Sequence, residues 1–238
     1  MRSRRSTEAT NFWRQGVEVV PQFLSATECE SLLSAVADYR RTHELPVIFR
    51  EEKGRSLNYV VMEGWRFHEA LPDSEAIVDR IRARLESICA EPLVLIDDAR
   101  AACNVNITPP GGQYRWHYDR NLVTALVYLN GVAGGETDLY PNYRVTWPWS
   151  RPRVAQSLLD RLLLNKAVRA LAGRPTAVTP AQGTFVALRG NTTLHSVRPV
   201  RGDQVRVNLV VAFDRPGSDS TRRTLNAYLY EPQPDGEG

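Results

Sequence analysis

The sequence predicts an α+β chain, with helices first and then a β-sandwich or barrel that carries one helical insert. Three observations support this. Apolar residues recur at helical spacing in two stretches of the N-terminal third. From about residue 101, short apolar runs alternate with Gly, Pro, Asn and Asp, the pattern of strands joined by turns. Residues 151–173 interrupt that texture with a Leu-rich stretch that reads as a helix.

The elements follow in order. Residues 1–15 are polar, carry four Arg and read as a flexible leader. Val17–Leu24 is a short strand running into a turn. Ser25-Ala-Thr-Glu28 has the spacing of a capping box, and Leu32, Leu33, Val36 and Tyr39 continue it at helical spacing until Pro46. A second amphipathic helix is predicted over Ser74–Ala90, where Ile77, Ile81 and Leu85 recur every four residues. Strands are predicted at Ala102–Ile107, Arg115–Asp119, Val123–Leu129, Thr184–Leu188 and Val205–Phe213. Pro175 resumes the β texture after the insert, and 232–238 is a Pro/Gly/acid-rich tail expected to be mobile. No linker divides residues 16–231, so a single domain is expected.

Composition excludes several classes. The chain has 238 residues, 42% hydrophobic and 24% charged, which is ordinary globular usage and argues against disorder. No apolar run approaches the roughly 18 residues of a membrane span. The basic start lacks the apolar core of a secretory signal, so a cytoplasmic protein without a membrane partner is expected. Cys29, Cys89 and Cys103 are too few for a disulfide framework and form no CxxC pair. The net charge is +3, and all but two of the 30 basic residues are Arg. They are interleaved with acids along the chain, so no nucleic-acid partner is expected.

Chemistry gathers around two of the four histidines. Tyr114-Arg-Trp-His117-Tyr-Asp119 places an imidazole and a carboxylate two residues apart, on one face if the segment is extended. His195, in Thr193-Leu-His195-Ser-Val-Arg-Pro-Val200, is a candidate third ligand. Two His and one carboxylate form the facial triad of non-haem Fe(II) oxygenases, which leaves open positions on the metal.

Around these residues the sequence resembles the 2-oxoglutarate/Fe(II)-dependent dioxygenase superfamily, especially its prolyl-4-hydroxylase-like branch. The resemblance runs in order through most of the chain. It includes Pro21–Cys29, His117-Tyr-Asp119, Thr124–Asn130, Gly134-Gly-Glu-Thr137, Val178–Phe185, His195-Ser-Val-Arg-Pro-Val200, and the strand from Arg206 to Phe213. It implies a double-stranded β-helix, a jelly-roll (cupin-like) barrel flanked by the N-terminal helices. It also implies Fe(II) held by His117, Asp119 and His195, with 2-oxoglutarate and O2 as co-substrates and ascorbate as a candidate reductant. Arg206 would hold the distal carboxylate of 2-oxoglutarate, a task suited to the planar guanidinium fork. Arg189, Arg198 and Arg201 compete for that role. Arg206 is preferred because it lies in an apolar strand, where a charge needs a partner. Tyr128, Asn106 and Thr124 are the further candidate co-substrate contacts.

Asp119 favours oxygenation over halogenation, since halogenating relatives lack this carboxylate. The implied reaction couples decarboxylation of 2-oxoglutarate to hydroxylation of an unactivated C–H.

The substrate is less legible. The segments most free to select it are Arg50–Tyr59, Arg120-Asn-Leu122, Tyr140–Trp149 and the insert. Tyr114, Arg120 and Arg144 are the candidate substrate contacts, with Trp147 and Trp149 beside them. A small molecule, such as an amino acid or natural-product intermediate, is the expected substrate. The first alternative is a peptidyl-proline hydroxylase, which needs an open groove that the insert would obstruct as a lid. The second is a nucleic-acid demethylase, whose R-x-N-x-T-x-R run is echoed by Arg206 and Asn208 but fails at Val210 and Ala212. The third is a non-catalytic metal-binding jelly-roll module.

Overall fold

Side-chain alternation on the central strands sets the layers of the fold. In the computed structural model, the described residues are 11–52, 55–71, 73–145 and 153–218. Strand β14 (Arg206–Asp214) lies between β5 (Cys103–Thr108) and β7 (Val123–Tyr128), antiparallel to both. On these three strands the odd-numbered residues, including Val105, Ile107, Ala125, Val127, Leu209 and Val211, enter the main hydrophobic core. The even-numbered Asn106, Thr108, Thr124, Leu126, Arg206, Asn208, Val210 and Ala212 line a cavity on the other face. Successive side chains of a strand point to opposite faces, so one set of strands serves both the core and the site.

The larger sheet has eight strands, in the order β1 (Val17–Val20), β11 (Phe185–Leu188), β7, β14, β5, β3 (Arg55–Glu63) and β2 (Val47–Glu52), with β4 (Val94–Leu95) beside β14. A second sheet has the order β10 (Thr176–Val178), β9 (Thr137–Tyr140), β12 (Leu194–Val197) and β6 (Tyr114–His117). A two-residue pair, β8 (Ala133–Gly134) with β13 (Val200–Arg201), completes the strands. All pairings are antiparallel. The cavity is lined by the larger sheet on one side and by β6, β9 and β12 on the other, the layering of a jelly-roll.

Helices cover the outer face of the larger sheet. Helix α1 (Ala26–Thr42) begins at the predicted capping box: Ser25 Oγ accepts from the Glu28 N–H at 3.2 Å and Glu28 Oε2 accepts from the Ser25 N–H at 2.8 Å. Its Leu32 and Val36 join Ile81, Leu85 and Ile88 of α3 (Ser74–Cys89) in the core. Each such side chain contributes roughly 1.5–3 kcal/mol when fully buried. All three cysteines are buried and free, and burial pushes the Cys89 and Cys103 thiols up to about 12.

The structure corrects three expectations. Residues 11–15 are helical rather than part of a loose leader, and Phe12 is 1% exposed in the core. Trp13 Nε1 donates to the Cys89 carbonyl at 3.1 Å. The Arg50–Tyr59 segment belongs to the β2–β3 hairpin, which extends the larger sheet. A short helix, α2 (Gly64–Ala70), follows it. The insert is two helices, α4 (Arg153–Leu164) and α5 (Lys166–Leu171), because Asn165 caps the second by accepting from the Ala167 N–H at 2.9 Å. The tail 232–238, with Trp147 and Trp149, lies outside the described residues. Among the described residues, no helix is long and apolar enough to cross a membrane.

Candidate metal centre

His117 ends β6, and His195 sits directly opposite it on β12. Asp119 lies two residues beyond the strand, so the predicted extended run to Asp119 stops at His117. Its position is set instead by its N–H, which donates to the Gly190 carbonyl at 3.0 Å. Asp119 Oδ1 lies 3.6 Å from His117 Nε2 and 3.5 Å from His195 Nε2. The three side chains form a group that could hold a metal ion, with ligand atoms within 4.8 Å of one another.

The surrounding hydrogen bonds turn the ligand atoms inward. His117 Nδ1 is 2.8 Å from the Arg115 carbonyl, and His195 Nδ1 is 3.1 Å from the Thr193 carbonyl. A carbonyl only accepts, so each Nδ1 carries the proton and each Nε2 presents its lone pair to the centre. Thr124 Oγ1 donates to Asp119 Oδ2 at 2.5 Å, leaving Oδ1 for the metal. Asn121 Nδ2 donates in turn to Thr124 Oγ1 at 2.9 Å and to the Val123 carbonyl at 2.7 Å. Gly190 completes the cradle, because a Cβ there would come within 2.9 Å of both Asp119 Cβ and Thr124 Oγ1. Burial, and then the neighbouring His195, push His117 down to about 3, which keeps its imidazole neutral at physiological pH. Two imidazoles and one carboxylate suit a divalent transition metal such as iron.

The same cavity, of about 110 Å³, holds Arg206. This side chain is 2% exposed. Its Nη1 donates to Asn208 Oδ1 and its Nη2 to Thr137 Oγ1, the latter at 3.2 Å. Its Nε has no partner, and among the described residues it forms no ion pair. Burial lowers its pKa. A buried guanidinium served only by neutral acceptors favours an incoming carboxylate, and the cavity therefore fits 2-oxoglutarate as well as a metal. Leu126, Leu188, Val210 and Ala212 supply its apolar lining.

The other predicted residues divide into two groups. Thr124 is in the cavity but holds Asp119. Asn106 lines it with an unpartnered Oδ1. Tyr114 lines it too, its ring 4.4 Å from that of His117 and 5.2 Å from that of Tyr59. Tyr128 lies behind Arg206, with its ring centre 5.1 Å from the guanidinium carbon, and its hydroxyl is bonded to Thr137 Oγ1 at 2.7 Å. It does not line the cavity.

Arg120 is exposed and is not among the residues that line the cavity. Arg144 does not line the cavity either: its Nε and Nη2 grip both Asp160 oxygens, at 2.9 and 2.5 Å, and fasten α4 to the barrel. Among the rival arginines, Arg198 is held by both oxygens of Asp138, and Arg201 is an exposed side chain 3.5 Å from Glu136. Arg189 donates to the Trp13 carbonyl and to Asn142. Sequence reasoning missed Tyr59, Asn121, Thr137 and Asn208 as cavity residues, while the alternation of Asn104, Asn106 and Thr108 along one strand already reached Thr108. The period of two on β5 and β14 points to Thr108 and Asn208.

The sequence profile described as the 2OG-Fe(II) oxygenase superfamily matches residues 103–230. No curated protein matches the sequence. Many solved structures share the fold, among them the following three. A Pseudomonas putida prolyl-4-hydroxylase is 19% identical, with TM-score 0.58, over 90% of this chain and 100% of its own. The non-heme alpha ketoglutarate dependent carbocyclase SnoK from nogalamycin biosynthesis is 19% identical, with TM-score 0.65, over 97% of this chain and 93% of its own. HygX from Streptomyces hygroscopicus, solved with nickel and 2-oxoglutarate bound, is 16% identical, with TM-score 0.60, over 89% of this chain and 87% of its own.

Proposed function

From the 2OG-Fe(II) oxygenase superfamily, to which this chain belongs, we infer an enzyme that hydroxylates an unactivated C–H of a small molecule. Bound Fe(II), 2-oxoglutarate and O2 supply the oxidising chemistry, with succinate and CO2 as the co-products. His117, Asp119 and His195 hold the metal. The observation that carries the reading is Arg206: a buried cation without an acid partner, lining the cavity that holds the three metal ligands. It binds the distal carboxylate of 2-oxoglutarate, and Thr137 and Asn208 hold its fork in place.

The remaining residues orient and shield. The Arg115 and Thr193 carbonyls fix the imidazole tautomers, and Thr124 fixes the Asp119 carboxylate. Leu126, Leu188, Val210 and Ala212 keep water from the reacting centre. The small-molecule reading is supported by the limited cavity and by Leu164 and Arg169 of the insert, which wall the adjoining cleft where a peptide hydroxylase needs an open groove.

The test is an anaerobic titration of the purified protein with Fe(II) and then 2-oxoglutarate, with His117→Ala alongside. A weak visible charge-transfer band in the wild type alone is the expected result, followed by a screen of small molecules for substrate-dependent succinate release. No band and no retained metal in the wild type would sink the proposal.

A further inference from the structure

A second cleft, of about 330 Å³, lies where the insert meets β6 and β12, and none of the metal ligands lines it. Tyr114 and Val197 line both this cleft and the metal cavity. Its charged lining is Arg115, Arg169, Arg198 and Asp138. Asp138 is already matched, since both its oxygens accept from Arg198 at 2.7 and 2.8 Å. Of the remaining cations, Arg169 forms no ion pair among the described residues, so its charge is unmatched there.

Arg169 stands apart from the other arginines of this region. It comes from α5, and its guanidinium carbon lies 4.5 Å over the centre of the Trp116 ring. Its Nε and Nη1 are buried and have no hydrogen-bond partner among the described residues. A guanidinium stacked on an aromatic ring stays charged, and its fork remains suited to a carboxylate. Trp116 and Tyr114 give the cleft aromatic surface, and Leu164, Val197 and Pro199 give it an apolar one.

We propose that this cleft binds the acidic end of the substrate, a small organic acid with a planar or apolar body, and that Arg169 is its specificity-determining cation. The assignment to substrate rests on the oxygenase reading above. Binding of the acid itself does not need iron. The shared walls Tyr114 and Val197 set the body of such a ligand beside the metal cavity. Arg169 comes from the insert, so the helices that wall the cleft also supply the charge that selects the ligand.

The probe is phenylacetate, with phenylacetamide as its uncharged counterpart, titrated into metal-free protein and read by quenching of tryptophan fluorescence. Trp116→Phe identifies the reporting ring. The expected result is binding of the acid about tenfold or more tighter than the amide in the wild type, with the preference lost in Arg169→Gln. The wild-type comparison of acid with amide stands even if the variant folds poorly, and a thermal midpoint checks the variant. Equal affinity for acid and amide, or an acid preference that survives in Arg169→Gln, would overturn the proposal.

A second arm adds phenylacetate to the wild-type protein loaded anaerobically with Fe(II) and 2-oxoglutarate. A shift of the charge-transfer band supports placement beside the iron, and an unshifted band removes it. If that band never forms while the acid preference persists, the oxygenase reading fails and the substrate role goes with it, leaving an organic-acid site.

Discussion

Thr124→Val removes the one hydroxyl that ties Asp119 to Asn121 beneath the metal centre. Valine keeps the volume of threonine and removes only the hydroxyl. In the structure that hydroxyl donates to Asp119 Oδ2 at 2.5 Å and accepts from Asn121 Nδ2 at 2.9 Å. A hydrogen bond to a charged group contributes about 1.5–3 kcal/mol, which corresponds to roughly 10- to 150-fold in a binding constant. Loss of a partner to a metal ligand costs about 10- to 100-fold in metal affinity, so the two estimates agree. The fold should survive, because Asn121 still donates to the Val123 carbonyl and the Asp119 N–H still donates to Gly190. The assay is an anaerobic Fe(II) titration in saturating 2-oxoglutarate, followed by the visible band, with thermal denaturation as the check on folding. Thr124→Val should weaken Fe(II) binding by about 10- to 100-fold, and Thr124→Ser should stay near wild type. An Fe(II) affinity for Thr124→Val within about threefold of wild type, at an unchanged thermal midpoint, would show that the backbone alone orients Asp119.

Three further outcomes are expected. Arg206→Gln should weaken 2-oxoglutarate binding on the order of 100-fold in the same titration, and an unchanged constant would relieve Arg206 of its role. Gly183→Ala should lower stability by about 1–3 kcal/mol or more, since φ is +75° and a Cβ would meet the Leu24 carbonyl oxygen at 2.1 Å. A thermal midpoint equal to wild type would refute that. Hydrogen bonds from Ser25, with the Arg80 guanidinium, lower Glu28 from 4.5 to about 2, so its stabilisation is present above 4.5 and is lost as pH falls towards 2. The gap in thermal midpoint between wild type and Glu28→Gln should narrow over that window, and a gap that widens on acidification would contradict the assignment.

The sequence made the helices and the central strands legible because their signals are local. Ser25 and Glu28 are three residues apart, and the alternation along Arg206–Asp214 is contained in one strand. The β2–β3 hairpin was hidden because Arg50-Glu-Glu-Lys-Gly-Arg55 is charged, yet an edge strand pairs through its backbone and tolerates charge. The insert was read as one helix because its leucines continue past Asn165, whose capping bond becomes evident only in the folded chain. At the site, the HxD pair and the distal His were legible from their order along the chain. Gly190 was not, since it touches Asp119 and Thr124 only after β11 and β7 have paired.

The arginines show what kind of information folding adds. As sequence, Arg144, Arg198 and Arg201 are equivalent cations near the motifs, Arg206 is set apart by its apolar strand alone, and Arg169 is one more basic residue in a helical stretch. Their partners separate them. Arg144 is matched by Asp160, Arg198 by Asp138, and Arg201 reaches towards Glu136. Arg206 and Arg169 line cavities and have no acidic partner among the described residues, while burial lowers the pKa of each. Holding an unmatched cation out of water costs stability that the fold alone does not require, fully at the buried Arg206 and in part at the half-buried Arg169. A ligand carboxylate removes that cost at both positions. On the function and the cleft proposed above, Arg206 would take one end of 2-oxoglutarate and Arg169 the acidic end of the substrate, and charge-removing substitutions at each should separate co-substrate binding from substrate binding.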